Sequence, residues 1–123
     1  MKITHTVDTV KEDYYGVTLE IARSNNPAFR AKFRKLSKPY QRQIDAKTIS
    51  DEKSTDIVCT AMAGTVLVGW SGTFPDGEEY PYSEDAAKQL LLDDQDAREF
   101  VSNIAADLSV FLSDIHDMEK KAQ

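Results

Sequence analysis

Apolar residues alternate with polar ones from residue 16 to 22, which predicts one short, half-buried strand. The pattern then changes to helical spacing, with Phe29 and Phe33 on one face, and we expect a helix over residues 27–37. Asn26 suits the N-cap of this helix, because its side chain can accept hydrogen bonds from free backbone N–H groups. A strand followed by a helix is therefore expected in the first third of the chain.

Three further segments carry helix start signals and apolar stripes. One helix is expected to begin after Ser50 and to reach Gly69, and its apolar residues cover several faces, so it should be the buried central helix. Another should follow Ser83, and the longest should span residues 95–120. The apolar stripe predicted for the longest helix is Phe100, Ile104, Leu108, Phe111 and Ile115.

The segment Pro75-Asp76-Gly77 predicts a turn with short extended arms, because proline fixes φ and glycine accepts positive φ. Trp70 precedes this turn, and we expect it to be largely buried as an anchor, with an exposed partner contact as the alternative. Residues 40–47 fit either a short helical piece or a loop. The expected structural anchors are Asn26, Trp70, Gly77, Pro81 and Ser83.

These elements predict a mainly α fold: a compact helical domain of about four helices, with a short N-terminal strand and a small extended turn region. A chain of 123 residues suits a single domain over residues 1–123. Within it, we expect residues 1–15 to form a flexible arm and residues 116–123 to form a frayed helix end.

The apolar stretch over residues 57–70 is shorter than the roughly 20 residues that a membrane span needs. The N-terminus lacks the apolar run of a secretory signal, and the single cysteine, Cys59, cannot form an internal disulfide. We therefore expect a protein of the reducing cytoplasm with no membrane partner.

Residues suited to catalysis or metal binding are few. His5 and His116 lack neighbours that would complete a catalytic or metal site, and Cys59 lies in the most apolar helix, where a neutral core thiol is expected. The acidic run over residues 93–96 lacks the central glycine and the distant glutamate of a calcium loop. We expect no enzymatic activity, no metal site and no cofactor.

The net charge of −6 conceals a division along the chain. Residues 1–47 hold 10 of the 15 Lys and Arg residues but 5 of the 21 Asp and Glu residues, which gives +5. Residues 48–123 therefore carry −11. This asymmetry favours a charged partner or head-to-tail self-association, and two separately solvated faces are the alternative.

The segment over residues 21–44 contains basic residues and no acidic one. Such a face could follow a phosphate backbone, but the isoelectric point of about 4.8 disfavours nucleic acid and favours an acidic protein surface. The candidate residues for partner binding or self-association are Arg23, Arg30, Arg34, Lys35 and Lys38.

Three stretches, taken in order, resemble a known family. They run from Ile21 to Phe29, from Thr65 to Trp70, and from Asp76-Gly77 through Tyr80-Pro81-Tyr82-Ser83 into the helix that carries Ala86-Ala87 and Leu90-Leu91. Over roughly residues 17–115, the chain is similar to the tail assembly chaperones of long-tailed bacteriophages. Residues 40–54 and the N-terminal arm have no counterpart in this resemblance.

The resemblance implies a non-catalytic assembly factor of a phage or prophage, working in the host cytoplasm. Such a factor self-associates as a ring or spiral, binds the tape-measure protein during tail assembly, and is absent from the mature virion. Two alternatives stay open: a phage-encoded nucleic-acid-binding module that uses the basic helix, and a structural tail or neck protein.

In the family that the chain resembles, ribosomes often slip near the end of the reading frame and make a minor, longer product. Glu119-Lys120-Lys121 can be encoded by an A-rich run on which paired tRNAs can shift back by one base. A longer frameshift product of the same gene is therefore an expected partner. The gene should show a slippery A-rich heptamer at these codons and an open shifted frame, and codons that interrupt the run would exclude this product.

Overall fold

The computed structural model describes residues 9–121, and it describes side chains for residues 9–109. Within this range the chain forms three strands, four helices of ten or more residues and a short helix. In chain order, the elements are β1 (Thr9–Tyr14), β2 (Val17–Ala22), α1 (Pro27–Ser37), a 3-10 turn (Lys38–Tyr40), α2 (Gln41–Asp45), α3 (Asp51–Met62), β3 (Leu67–Gly72), α4 (Glu84–Asp93) and α5 (Gln95–Lys121).

The strands form one antiparallel sheet in the order β1-β2-β3. Tyr15 and Gly16 join β1 to β2, and both have positive φ, 51° and 94°, as a two-residue type I′ hairpin turn requires. β2 pairs with β3 so that Leu19 lies opposite Trp70, and the register shifts after Glu20. The central strand of the sheet is therefore β2.

The mainly α prediction is wrong, because the three-stranded sheet makes this an α/β arrangement with four main helices. The central helix was expected to reach Gly69, but α3 ends at Met62 and β3 follows. Ala63, the C-cap of α3, has φ −65° and ψ 123°, which is extended. The β-branched residues Val66 and Val68 then favour a strand over a helix.

The strand β1 is a second correction, because residues 9–14 were expected to belong to a flexible arm. Val10 and Tyr14 pack against the core. Three consecutive charged residues lie between them at positions 11–13, so the sequence shows no alternation of apolar and polar residues there. Charged residues are common on edge strands, where they oppose pairing with other chains. The predictions for residues 1–8 and 122–123 lie outside the described residues.

One cluster of buried residues joins the sheet to α3, α4 and α5. Val17, Leu19 and Ile21 occupy the core-facing positions of β2 and are each at most 1% exposed. Alternation along β2 therefore places one face of the sheet on the helices. The helical residues of this cluster are Cys59, Met62, Ala87, Leu91, Val101 and Ala105.

The expected helix starts are confirmed by their caps. The side chains of the cap residues accept hydrogen bonds from the backbone N–H group three positions further along the chain. These bonds are Phe29 to Asn26 at 2.8 Å, Lys53 to Ser50 at 3.1 Å and Ala86 to Ser83 at 3.0 Å. The predicted bounds of the helix over residues 27–37 are also confirmed. Residues 38–45 are helical, which was the first of the two alternatives for that segment.

The longest helix was expected over residues 95–120, and α5 confirms it. Among its described side chains, the buried residues are Ala97, Val101, Ala105 and Leu108, so the buried face shares Leu108 with the predicted stripe but is otherwise displaced from it. The predicted Phe100 and Ile104 are half-buried at the margin of that face, and positions 111 and 115 lie outside the described side chains. Two of these buried residues, Ala97 and Ala105, are small, so the sequence marks the buried face less clearly than the larger apolar residues at its margin.

Candidate functional site

A groove of about 500 Å³ lies between α4 and the loop that connects β3 to it. Half-buried Trp70, Phe74 and Leu90 give the groove an apolar floor. The exposed carboxylates of Asp76 and Asp93 stand at its rim. The lining residues are Trp70, Phe74, Asp76, Tyr80, Ala86, Gln89, Leu90 and Asp93.

The loop beside the groove is held by its own hydrogen bonds. The Gly77 N–H donates to the Phe74 carbonyl oxygen at 2.8 Å, and the Phe74 N–H donates to the Glu78 carbonyl oxygen at 2.9 Å. Gly77 has a φ of +86°, which a residue with a side chain rarely adopts. The predicted turn is therefore present, and it places Asp76 at the groove.

Trp70 connects this loop to the sheet. Its Nε1–H donates to the Tyr80 carbonyl oxygen at 2.7 Å, and its ring meets Phe74 and Tyr82 edge to face, with centroids 5.4 and 5.0 Å apart. The side chain is partly buried against the core cluster, which agrees with the expected anchoring role, although it is not fully buried. Trp70 lies on β3 at the margin of the sheet, where it supports the loop and also lines the groove.

The extended segment from Tyr80 to Ser83 leads from the groove to α4. Pro81 is exposed. The Tyr82 hydroxyl donates to the Leu67 carbonyl oxygen at 2.7 Å, and burial raises the pKa of Tyr82. Ser83 then caps α4, so the segment is fixed to β3 on one side and to the helix on the other.

The rim of the groove is acidic. Hydrogen bonds from the Tyr80 hydroxyl and from the Glu78 N–H lower the pKa of Asp76, which keeps its carboxylate charged. Residues 76–94 contain seven Asp and Glu residues and one basic residue, Lys88. Lys88 Nζ lies 3.4 Å from Asp56 Oδ1, and none of the residues lining the groove is basic.

The predicted basic face lies on α1 and the turn after it. Arg30, Arg34 and Lys38 recur at steps of four, which places them along one side of the helix, and all three are exposed. Lys35 is also exposed, whereas Arg23 is half-buried between β2 and α1. Among the described side chains, the charged groups of Arg34, Lys35 and Lys38 form no hydrogen bond or ion pair.

Asn26 joins three segments of the chain. Its Oδ1 caps α1, and its Nδ2 donates to the carbonyl oxygens of Arg23 at 2.9 Å and of Thr65 at 2.8 Å. The sequence predicts the cap, since it is local. The bond to Thr65 depends on the turn between α3 and β3, which the sequence analysis assigned to a helix.

A family model described as the YdaY prophage protein matches residues 24–121. The chain belongs to the YdaY prophage protein family. The expected phage or prophage origin is confirmed by this match. The matched range includes the basic face on α1, the groove and α5. No curated protein and no solved structure is similar enough to match the chain.

Of the residues of this prophage protein that were considered for catalysis or metal binding, Asp93 lines the groove and Cys59 does not. Cys59 is fully buried in α3, and burial raises the pKa of its thiol although Arg98 acts in the opposite direction. His5 and His116 lie outside the described side chains. The described residues contain no group of three or more metal-ligating side chains, and no described helix is both long and apolar enough to cross a membrane.

The groove was not predicted from the sequence. Leu90 was assigned to an inward helix face, and Phe74 and Tyr80 were treated as parts of a turn. The available signal was the density of aromatic residues: four of them lie within residues 70–82, although aromatic residues form 9% of the chain. Aromatic residues in a polar, turn-rich segment are typical of a protein contact surface.

Tyr14 makes a testable contribution to stability at high pH. Its hydroxyl donates to Asp94 Oδ2 at 3.2 Å, and burial together with that carboxylate raises the pKa of Tyr14 from 10.0 to about 12. The folded state therefore holds this proton more tightly than the unfolded state does. The resulting stabilisation is present below pH 10 and is lost as the pH rises towards about 12.

We expect urea unfolding to show a steeper fall in stability across this pH range for the wild type than for Tyr14→Phe. The other tyrosines titrate in both proteins, so the difference in slope isolates Tyr14. Equal slopes would contradict the assignment.

Proposed function

We propose that this prophage protein is a non-catalytic tail assembly chaperone that self-associates and binds the tape-measure protein during tail assembly. The observation that carries the proposal is the groove, which combines an aromatic floor with an acidic rim. We further propose that the protein acts in the host cytoplasm and is absent from the mature virion.

A long helical protein exposes apolar stripes until the tail tube forms around it, and such stripes aggregate when they are left uncovered. The groove offers Trp70, Phe74 and Leu90 as a contact surface for such a stripe. Tryptophan and tyrosine contribute strongly to protein contacts, because they bury a large area and lose little conformational freedom. Acidic residues around the floor would keep the covered complex soluble.

Co-expression with the tape-measure protein encoded by the same prophage tests the proposal. We expect the tape-measure protein to stay soluble and to co-purify with the wild type, and to aggregate with the double variant Trp70→Ala and Leu90→Ser. Tyr15→Ala is the matched control, since Tyr15 is an aromatic residue that is 72% exposed and does not line the groove. Equal solubility of the tape-measure protein with and without the chaperone would contradict the function.

Self-association is expected to depend on the basic face of α1. The exposed cations of this face complement the acidic residues over positions 76–94, and screening by salt acts most strongly on exposed charges. Reversing Arg34, Lys35 and Lys38 to glutamate should reduce the oligomer to monomers, and raised salt should do so in part.

Sedimentation measures the mass of this charge-reversed protein, and circular dichroism should show unchanged helicity. The corresponding glutamine variant removes the charges without reversing them, so it should give an intermediate mass. A wild type that is monomeric at high concentration would exclude this mechanism. So would an oligomer whose mass changes neither with the charge reversal nor with raised salt.

The basic face also supports a second candidate function. Arg30, Arg34 and Lys38 lie along one side of α1, where they could contact successive phosphates of a nucleic acid. A mobility shift with random DNA and RNA that weakens steeply with salt would favour that function. Detection of the protein in purified virions by mass spectrometry would favour a structural tail or neck protein instead.

A further inference from the structure

The chemistry of the groove limits what can bind there. We propose that the groove binds a cationic amphipathic helix, with its apolar side chains on the floor and its Lys or Arg side chains against Asp76 and Asp93. This inference rests on the proposed function, because it names the class of tape-measure segment that the chaperone would hold.

The floor is formed before a partner binds. The Trp70 Nε1–H bond to the Tyr80 carbonyl oxygen and the edge-to-face contacts with Phe74 and Tyr82 hold the indole ring in place. A preformed floor reduces the entropy that binding costs. The volume of about 500 Å³ suits several side chains, and a helix supplies them as neighbours at positions i, i+3 and i+4.

The walls of the groove favour a helix over an extended peptide. One wall is α4, with Ala86 and Leu90, and the other is the loop with Phe74 and Tyr80. An extended peptide binds by adding a strand to a free sheet edge, whereas these walls present side chains. An amphipathic helix lying beside α4 would make its contacts through side chains alone.

The rim selects the charge of the partner. Asp76 is kept in its charged form, Asp93 is exposed, and Gln89 between them on the α4 side is neutral. The groove lining contains no cation, and Lys88 on the same helix lies against Asp56 of α3. A partner that carries positive charge would therefore complement the rim, while an anionic helix would meet like charges.

A second copy of the chain fits the groove less well. Its α1 offers cations, but Phe29 packs against the core of its own copy and stacks on Phe33 with centroids 5.7 Å apart. Both rings are half-buried, so α1 presents little free apolar surface for the floor. The occupant that fits both the floor and the rim is a helix from a different protein.

The test uses labelled synthetic helices of about 18 residues, which is long enough for five turns. One peptide combines a leucine stripe with lysines, a second has the same leucines with glutamates, and a third is a scrambled cationic sequence. Fluorescence anisotropy measures binding, and the emission of Trp70, the only tryptophan of the chain, reports contact with the floor. We expect the cationic amphipathic helix to bind at least about tenfold more tightly than the other two and to shift the emission to shorter wavelength.

The double variant Asp76→Asn and Asp93→Asn should weaken this binding about tenfold or more. Asp51→Asn with Glu52→Gln is the matched control, because it removes two exposed acidic charges in α3, outside the groove. Equal binding of the anionic or scrambled peptide, unchanged Trp70 emission, or equal loss in both double variants would overturn the proposal. A change in oligomer mass caused by Asp76→Asn and Asp93→Asn would identify a second copy as the occupant and would also overturn it.

These results separate the inference from the proposed function. If the tape-measure protein stays soluble only with the chaperone but the cationic helix does not bind, the assigned chemistry fails and the function stands. If the helix binds as expected but the tape-measure protein behaves alike with and without the chaperone, the function fails and the groove keeps its assigned chemistry.

Discussion

Replacing Leu67 with alanine is expected to lower the free energy of unfolding by about 3–5 kcal/mol. Leu67 begins β3, is fully buried, and lies opposite Ile21 of the central strand. The substitution removes buried methyl groups and leaves a cavity between the sheet and the helices, which the surrounding side chains fill only in part. Urea unfolding followed by circular dichroism measures the loss.

The neighbouring Val68 supplies the control for this substitution. It is the extra residue at the register shift, since Leu67 pairs with Ile21 and Gly69 with Glu20. It is half-buried, so Val68→Ala should cost only about 1 kcal/mol. Two losses of equal size would contradict the strand geometry. They would instead fit an apolar helix that is buried all round, which is the structure that the sequence pattern predicts there.

The Asn26→Ala substitution is expected to lower the free energy of unfolding by about 3 kcal/mol, from one helix cap and two further hydrogen bonds of roughly 1 kcal/mol each. The variant removes the acceptor for the Phe29 N–H and leaves the carbonyl oxygens of Arg23 and Thr65 without this donor. Thermal or urea unfolding measures the effect, which is a large part of the stability of a small domain.

Ser50→Ala is the matched control for Asn26, since Ser50 caps α3 through a single hydrogen bond to the Lys53 N–H at 3.1 Å. Its loss should cost about 1 kcal/mol. Asn26→Asp adds a second comparison, because the carboxylate keeps the cap but cannot donate to either carbonyl oxygen. If the alanine variants at both positions cost the same, the bond to Thr65 contributes nothing measurable.

Helix starts could be predicted from this sequence because the chemistry that sets them is local. Asn26, Ser50 and Ser83 each cap a backbone N–H group three residues away, so the structure confirms the three starts. The same holds for the turn at Gly77, whose positive φ depends on that residue alone.

The sheet could not be predicted in the same way, because strands are stabilised by distant partners. The ladder hydrogen bonds of β3 depend on β2, which lies about 50 residues earlier in the chain. Its apolar residues follow those of α3 without a break in composition, so periodicity alone favoured one long helix. β1 was missed because its charges suit an exposed edge strand as well as a loop.

The same distinction between local and distant interactions applies to the candidate site. The basic face on α1 was predicted, since one helix carries most of it and its spacing can be read from the sequence. The groove was not predicted, because it exists only where the loop, β3 and α4 meet. Trp70 was expected to anchor the turn. Its burial depends on the loop and α4, which pack around it to form the groove.

Because Cys59 is fully buried, its reaction with a thiol reagent reports the opening of the core. Thiol reagents attack the thiolate, and this thiol is both inaccessible and harder to ionise than a free one. Labelling therefore requires a molecule in which the packing around α3 has opened. With a single cysteine in the chain, every labelling event has one origin. The rate at which intact protein takes up a thiol reagent therefore measures how often the core opens, without any engineered probe.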